Sequence, residues 1–400
     1  MFYPIRPSVG LCLWLLFGAT SLSAAFDQAA GSDQGAAGAP TGTPEQNTTA
    51  PSGAPQTGPI SGYMDFHFNH PTDGAPPVLD FHRFVLLFTH RFSDRIRFVS
   101  EVEIEHAFVE GLEKSGELEL EQAYLDFLLQ PSLNFRAGML LVPVGIINER
   151  HEPPVFHGVE RPFVDTFIVP TTWFDAGAGI HGALGKGFRY RTYLMAPLDA
   201  TEFTAGGGIS GSAQHGSEAQ VRNIALTGRL EHVGFPGLQT GVSFWTGETA
   251  FRLPRIHTKV RLYEGDARFT RDRLEARAQY AHVFIDGAGA LNDALSRLSG
   301  VDPHVAEQLR GFYFEGSYRV LPSGPHDAAL FVRYENFDTQ YRMPAGSPKL
   351  PQFDRDAWVV GATYWPDPDV AIKVDYSYVR SASSVVPPPR SFNVGLGWWF

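Results

Sequence analysis

Six glutamates fall on alternate positions, Glu101, Glu103 and Glu105, then Glu117, Glu119 and Glu121. Side chains two residues apart share one face of an extended strand, so each triplet presents a row of carboxylates in a single direction. A second set has the opposite sign: Arg189 and Arg191, Arg229, Lys259 and Arg261, and Arg277. Facing rows of fixed charge raise local potentials by several kT and sort ions. The expectation is a wet passage with one acidic and one basic wall. The competing expectation is that these groups hydrate a lumen and pair with neighbours, although Arg333 and Glu335 are not expected to pair along their one strand.

A Pro-containing stretch over 143–175 adds Glu149, Arg150, Glu152, Glu160 and Arg161 as candidate constriction residues. Its acids, with Asp165 and Asp175, outnumber its two arginines, so an anion-selective throat does not follow from it. Glu149, His151, His157 and Glu160 are ligand types, but a Pro-rich loop brings such groups near one another without coordinating anything. No metal and no cofactor are expected. His257 or His282 could act as a base, yet no Ser or Asp spacing marks a nucleophile, and no enzyme activity is expected.

Rows of charge need strands with an apolar opposite face to hold them. The chain ends in such a strand, with Phe392, Val394, Leu396, Trp398 and Phe400 on every second position and small or polar residues between. Alternating segments occur at 61–68, 79–91, 95–107, 117–129, 133–142, 176–185, 188–197, 222–233, 238–247, 257–269, 273–285, 311–321, 328–338, 356–366, 369–380 and 390–400. That makes sixteen, each near the length a tilted strand needs to cross a bilayer. The linkers alternate strictly between short turns, such as 130–132 and 186–187, and long loops, such as 143–175, 198–221 and 286–310. An even strand count with this alternation specifies an all-β fold, a transmembrane antiparallel β-barrel.

Phase then sorts faces, because a charge on the lipid side near the midplane costs about 2–4 kcal/mol. Lys373, Asp375 and Ser377 are placed inward, with Ile372, Val374, Tyr376 and Tyr378 outward. Tyr313, Glu315 and Arg319 are likewise inward, with Phe312, Phe314, Tyr318 and Val320 outward. Lys259 and Arg261 are placed inward, with Val260 and Leu262 outward. The outward set passes from Leu118 and Leu120 to Leu125, Phe127 and Leu129, which calls for a β-bulge near Gln122 and Ala123. Helical spacing over 290–298 and 305–309 predicts two short helices capping the outer mouth.

Composition agrees. The chain has 400 residues, 43% hydrophobic, 13% aromatic and 41 Gly, with net charge −11. Beyond the N-terminus no apolar run reaches about 18 residues, which excludes a helical membrane protein, and the acidity argues against nucleic acid as a partner. Residues 1–25 form a signal peptide: Arg6, an apolar core and Ser23-Ala24-Ala25. The lone Cys12 lies inside it, so the mature chain carries no disulfide. Residues 26–59, rich in Ala, Gly and Pro, are expected to be a disordered periplasmic tether, and 60–400 the barrel domain.

The terminal strand resembles that of bacterial outer-membrane proteins, which implies that Trp398 and Phe400 are the signal read by the barrel-assembly machinery. Gly138, Pro143 and Gly145, where a strand leads into a long loop, resemble the phosphate-selective porin O and P family of Gram-negative bacteria. The sixteen-strand layout and Trp398-Trp399-Phe400 are similar too. The resemblance covers about 60–400 and implies an inward-folded constriction loop and an outer-membrane homotrimer among lipids and lipopolysaccharide, passing small hydrophilic solutes passively. Phosphate or another anion is the subordinate expectation for the solute. A barrel enzyme and a surface adhesin, the latter using loops 198–221 and 286–310, are the alternatives.

Overall fold

A computed structural model of the protein describes residues 59–106, 116–321, 326–386 and 388–400. The signal peptide, Cys12, the 26–59 tether up to residue 58, most of loop 108–116 and part of turn 322–327 lie outside the described residues.

Sixteen antiparallel strands close into one barrel. They are β1 (Ile60–Pro71), β2 (Val78–Ser93), β3 (Ile96–Glu105), β4 (Leu118–Gln130), β5 (Leu133–Leu141), β6 (Phe174–Gly185), β7 (Phe188–Met195) and β8 (Ala225–Phe235). The second half comprises β9 (Leu238–Glu248), β10 (Lys259–Arg271), β11 (Leu274–Asp286), β12 (Gln308–Arg319), β13 (Asp327–Arg342), β14 (Asp354–Asp367), β15 (Val370–Ser381) and β16 (Arg390–Trp399). Every strand pairs with its sequence neighbours, and β16 pairs with β1 from Tyr63 opposite Trp399 to Pro71 opposite Ser391. Gly62 and Phe400 exchange both backbone hydrogen bonds at 2.9 Å and finish that seam.

Six of the seven short turns shrink to two residues. Lys186 and Gly187 join β6 to β7 with φ of 50° and 82°, the left-handed pair that a tight hairpin requires. Phase is as expected on β15 and β12: Lys373 and Asp375 are buried toward the lumen while Ile372, Phe314 and Tyr318 are exposed outward. The bulge is present in β4, where Glu101 faces Gln122 and Val102 faces Leu120, leaving Glu121 as the extra residue. Glu121 and Gln122 therefore both point inward and both are buried.

Two sequence expectations fail. Val260 and Leu262 are wholly buried and face the lumen, whereas Lys259 is exposed and Arg261 points outward to Asp286, 2.6 Å away. The reason is what fills the barrel at its loop end. There, the lumen holds apolar side chains from the long loops, among them Val144, Ile146, Phe203 and Ile209, which pack with Trp245, Val260, Leu262, Val283 and Leu309 into one core. An apolar face thus meets protein rather than lipid, and the charged face meets the rim. The second failure concerns 305–309. Only the first predicted helix forms, as α2 (Ala288–Ser299), while Val305 and Ala306 run in irregular backbone into β12. Five residues following Pro303 and a left-handed His304 are too few to nucleate a helix.

Candidate functional site

The long loop between β5 and β6 folds into the lumen. At its neck, Asn148 donates from Nδ2 to the carbonyls of Val142 and Trp173 at 2.9 and 2.7 Å and accepts from the Trp173 amide at 2.6 Å. A three-residue 3-10 turn, Pro153–Val155, marks its lowest reach. There Pro153 lies over Gly397 of β16, where an added Cβ would fall 2.3 Å from the Pro153 Cβ. Trp365 donates from Nε1 to the Pro154 carbonyl at 2.8 Å, and Arg277 donates to that of Val155 at 3.2 Å. Both Gly397 and Trp365 sit near the short-turn ends of their strands, so the loop crosses most of the barrel's depth.

It then climbs the same wall, over β15 and β1. Lys373 donates to the Gly158 carbonyl at 2.9 Å, and the Val159 amide donates to Asp375 at 2.5 Å. Glu160 lies 3.2 Å from His67 and accepts from Asn69 at 3.0 Å. Burial alone would raise its carboxyl, but the His67 ring and the Asn69 amide hold it down to about 2. Arg161 donates to Thr172 Oγ1 at 3.1 and 3.0 Å. Four residues on, in α1 (Val164–Phe167), burial pushes the Asp165 carboxyl up to about 7 despite a 2.8 Å hydrogen bond from Gln279. Each neutral contact contributes only about 1 kcal/mol net. The loop is fixed by their number and by the carboxylates buried among them.

Without Lys259 and Arg261, which face outward, the basic row is closely paired with carboxylates. Arg229 meets three carboxylates, Glu231, Glu264 and Asp266, at 2.8, 3.3 and 2.6 Å. Arg191 bridges Glu149 of the loop and Glu231, both at 3.0 Å. Arg277 faces Glu315 at 3.6 Å. Arg333 pairs with Glu315 at 3.1 Å and also, against expectation, with Glu335 at 2.8 Å, because its long side chain folds along its own strand. Arg150 is half-buried within electrostatic reach of Glu231 and Arg268, and Arg189 is half-buried near the turn end of β7.

The acidic row is different. Glu101, Glu103 and Glu121 are buried, Glu105 and Glu119 half-buried, and Glu117 exposed just before β4. Among the described residues their ion pairs are with Arg83, 3.8 Å from Glu103, and with His151, 2.8 Å from Glu121 and 3.5 Å from Glu101. Glu152 is buried beside them, and burial pushes its carboxyl well above the ordinary range.

Glu149, His151, His157 and Glu160 are not brought together: they go to Arg191, Glu121, Glu275 and His67, four separate wall positions. His282, half-exposed on β11, contacts Tyr280 and Gln308 rather than any nucleophile. Several lumen groups escaped the sequence reading. Asp126 gathers Arg97, Arg136 and His181 at 2.6, 3.2 and 2.7 Å, and the alternation after the β4 bulge would have found it. Asp80 lies 3.1 Å from His82 and 2.8 Å from His106 near the rim, a contact between strand and loop that no local spacing announces.

A closed sixteen-strand antiparallel barrel with a long loop folded into its lumen is the architecture of the outer-membrane porins. The chain belongs to the family of an uncharacterized protein of Aquifex aeolicus (strain VF5), to which it is 34% identical over 352 residues, 85% of this chain and 79% of that protein. No family model matches it. Among solved structures it is similar to Salmonella typhi OmpF in complex with daunomycin, at 12% identity and TM-score 0.57 over 85% of this chain and 97% of that one. It is also similar to an anion-selective porin from Comamonas acidovorans, at 12% identity and TM-score 0.53 over 85% and 98%. The trimer form of Vibrio cholerae OmpT aligns at 11% identity and TM-score 0.52 over the same shares. At these identities the likeness establishes the fold.

Proposed function

We propose that the protein is a porin of a Gram-negative outer membrane, a passive channel for ions and small hydrophilic solutes that favours cations. Export would use the 1–25 signal peptide, and insertion among lipids and lipopolysaccharide would use the barrel-assembly machinery, with Trp398 and Phe400 as its signal. The observation that carries the cation preference is the contrast between walls: Arg191, Arg229, Arg277 and Arg333 are each matched to carboxylates, while among the described residues the six glutamates share Arg83 and His151. Fixed carboxylates beside a wet path concentrate cations, and Glu105, Glu117 and Glu119 are the members of the row that solvent reaches. A phosphate-selective passage needs the reverse, cations left unmatched at the narrow point.

The adhesin alternative is less well supported, because loops 198–221 and 286–310 turn inward and bury Phe203, Ile209 and Leu291. A homotrimer is part of the proposal. Its support is a recess of about 440 Å³ on the outward face of β10 to β14, where Ala267, Ala276, Ala278 and Gly316 lie between Phe314 and Trp358.

Purified protein in planar bilayers tests the reading. Stepwise conductance is expected, with zero-current potentials in a KCl gradient on the cation side. Glu→Gln at positions 101, 103, 105, 117, 119 and 121 together should move those potentials toward anion preference. Silent insertions would reject the channel, and unmoved potentials would reject the acidic wall.

A further inference from the structure

We propose that Glu101, Glu121 and His151 form a binding site for a divalent first-row transition-metal ion, of the zinc type, that fastens the inserted loop to the barrel wall. The proposal does not depend on what passes through the channel. Three separate elements supply the donors: β3, the β4 bulge and the loop. One donor atom from each lies within 4.8 Å of the others. His151 Nε2 stands 2.8 Å from Glu121 Oε2 and 3.5 Å from Glu101 Oε1. An ion bound tetrahedrally at about 2.0–2.2 Å separates its ligands by roughly 3.3–3.6 Å, so shifts of a few tenths of an ångström would accommodate it.

Chemistry narrows the ion. Two carboxylates and an imidazole suit zinc and its first-row neighbours, whereas calcium and magnesium take oxygen donors. The three residues are 3%, 0% and 3% exposed, which excludes bulk water as their partner.

An independent observation also points to a cation. Glu121 Oε1 has no hydrogen-bond partner although its residue is fully buried, and Glu103 Oε2 and Glu152 Oε2 nearby are in the same state. Buried carboxylate oxygens are rarely left so, because each forfeits its hydration without replacement. The surroundings also orient the donors as an outer shell does. Tyr63 donates to Glu101 Oε1 at 3.1 Å, and Gln122, turned inward by the same bulge, donates to Glu101 Oε2 at 2.5 Å. Glu103 and Glu152 are buried beside the two ligand carboxylates, with the Arg83 guanidinium 3.8 Å from Glu103.

The test uses the full barrel in detergent, stripped with EDTA and titrated with Co²⁺ and Zn²⁺. One equivalent of Co²⁺ should bind with the intense visible bands of low coordination number, and Zn²⁺ should displace it. Glu121→Gln and His151→Gln should each weaken binding by about 10- to 100-fold or more, while His106→Gln leaves it unchanged. Heat-modifiable migration on gels confirms that each variant is folded, and because His151 lies in the loop, its variant carries the test if Glu121→Gln does not assemble. Absence of binding to the stripped protein would overturn the proposal. So would binding that survives His151→Gln but is lost in His106→Gln, since the ion would then belong to Asp80, His82 and His106 at the rim.

Discussion

Asp165 holds a buried carboxyl whose titration is moved up to about 7 from an ordinary 3.8. In the folded state it keeps its proton longer than in the unfolded chain. Its contribution to stability is therefore full below pH 3.8 and is lost as pH rises through about 7. Asp165→Asn retains an oxygen to accept from Gln279 and removes the buried charge. The variant should match the parent at pH 3.5 and exceed it at pH 8 by up to about 4 kcal/mol, read from unfolding midpoints in denaturant. An equal difference at both pH values would show that Asp165 is not the titrating group. Sequence spacing gave Asp165 no such role, because the burial comes from Gln279 and Tyr313, more than a hundred residues away.

At the scale of elements, the inserted loop is the principal obstruction in the lumen. Replacing residues 149–163 with a short Gly-Ser linker should raise single-channel conductance by about twofold or more; an unchanged conductance would mean that the path bypasses the loop. The loop's existence was legible from length alone, as was the bulge in β4 from its phase change. The orientation of β10 was not. Alternation states that two faces differ, but an apolar face can meet lipid or a lumen filled by Ile146, Ile209 and Leu309. Only the position of those loops decides, and they are remote in sequence. The same limit hid the pairing of His151 with Glu121, thirty residues apart.

For the whole molecule, strand count and the alternation of turns and loops were readable, since the strand pattern repeats sixteen times and an error in one strand does not propagate, and closure follows from the even count. Closure depends on a few groups. Phe400 makes two backbone hydrogen bonds with Gly62 and stacks on Phe84 at 5.9 Å. Deleting Phe400 should sharply lower the yield of folded barrel, while pores that do form conduct normally. Normal yield would show that the seam closes without it.

β16 closes the barrel against β1, and its Gly397 and Gly395 receive Pro153 and Val159 of the loop. The loop therefore has no complete seat until the final strand has joined the first. The strand that closes the wall is thus also the strand that carries the loop, and a barrel without β16 would lack both its seam and the floor on which Pro153 and Val159 rest.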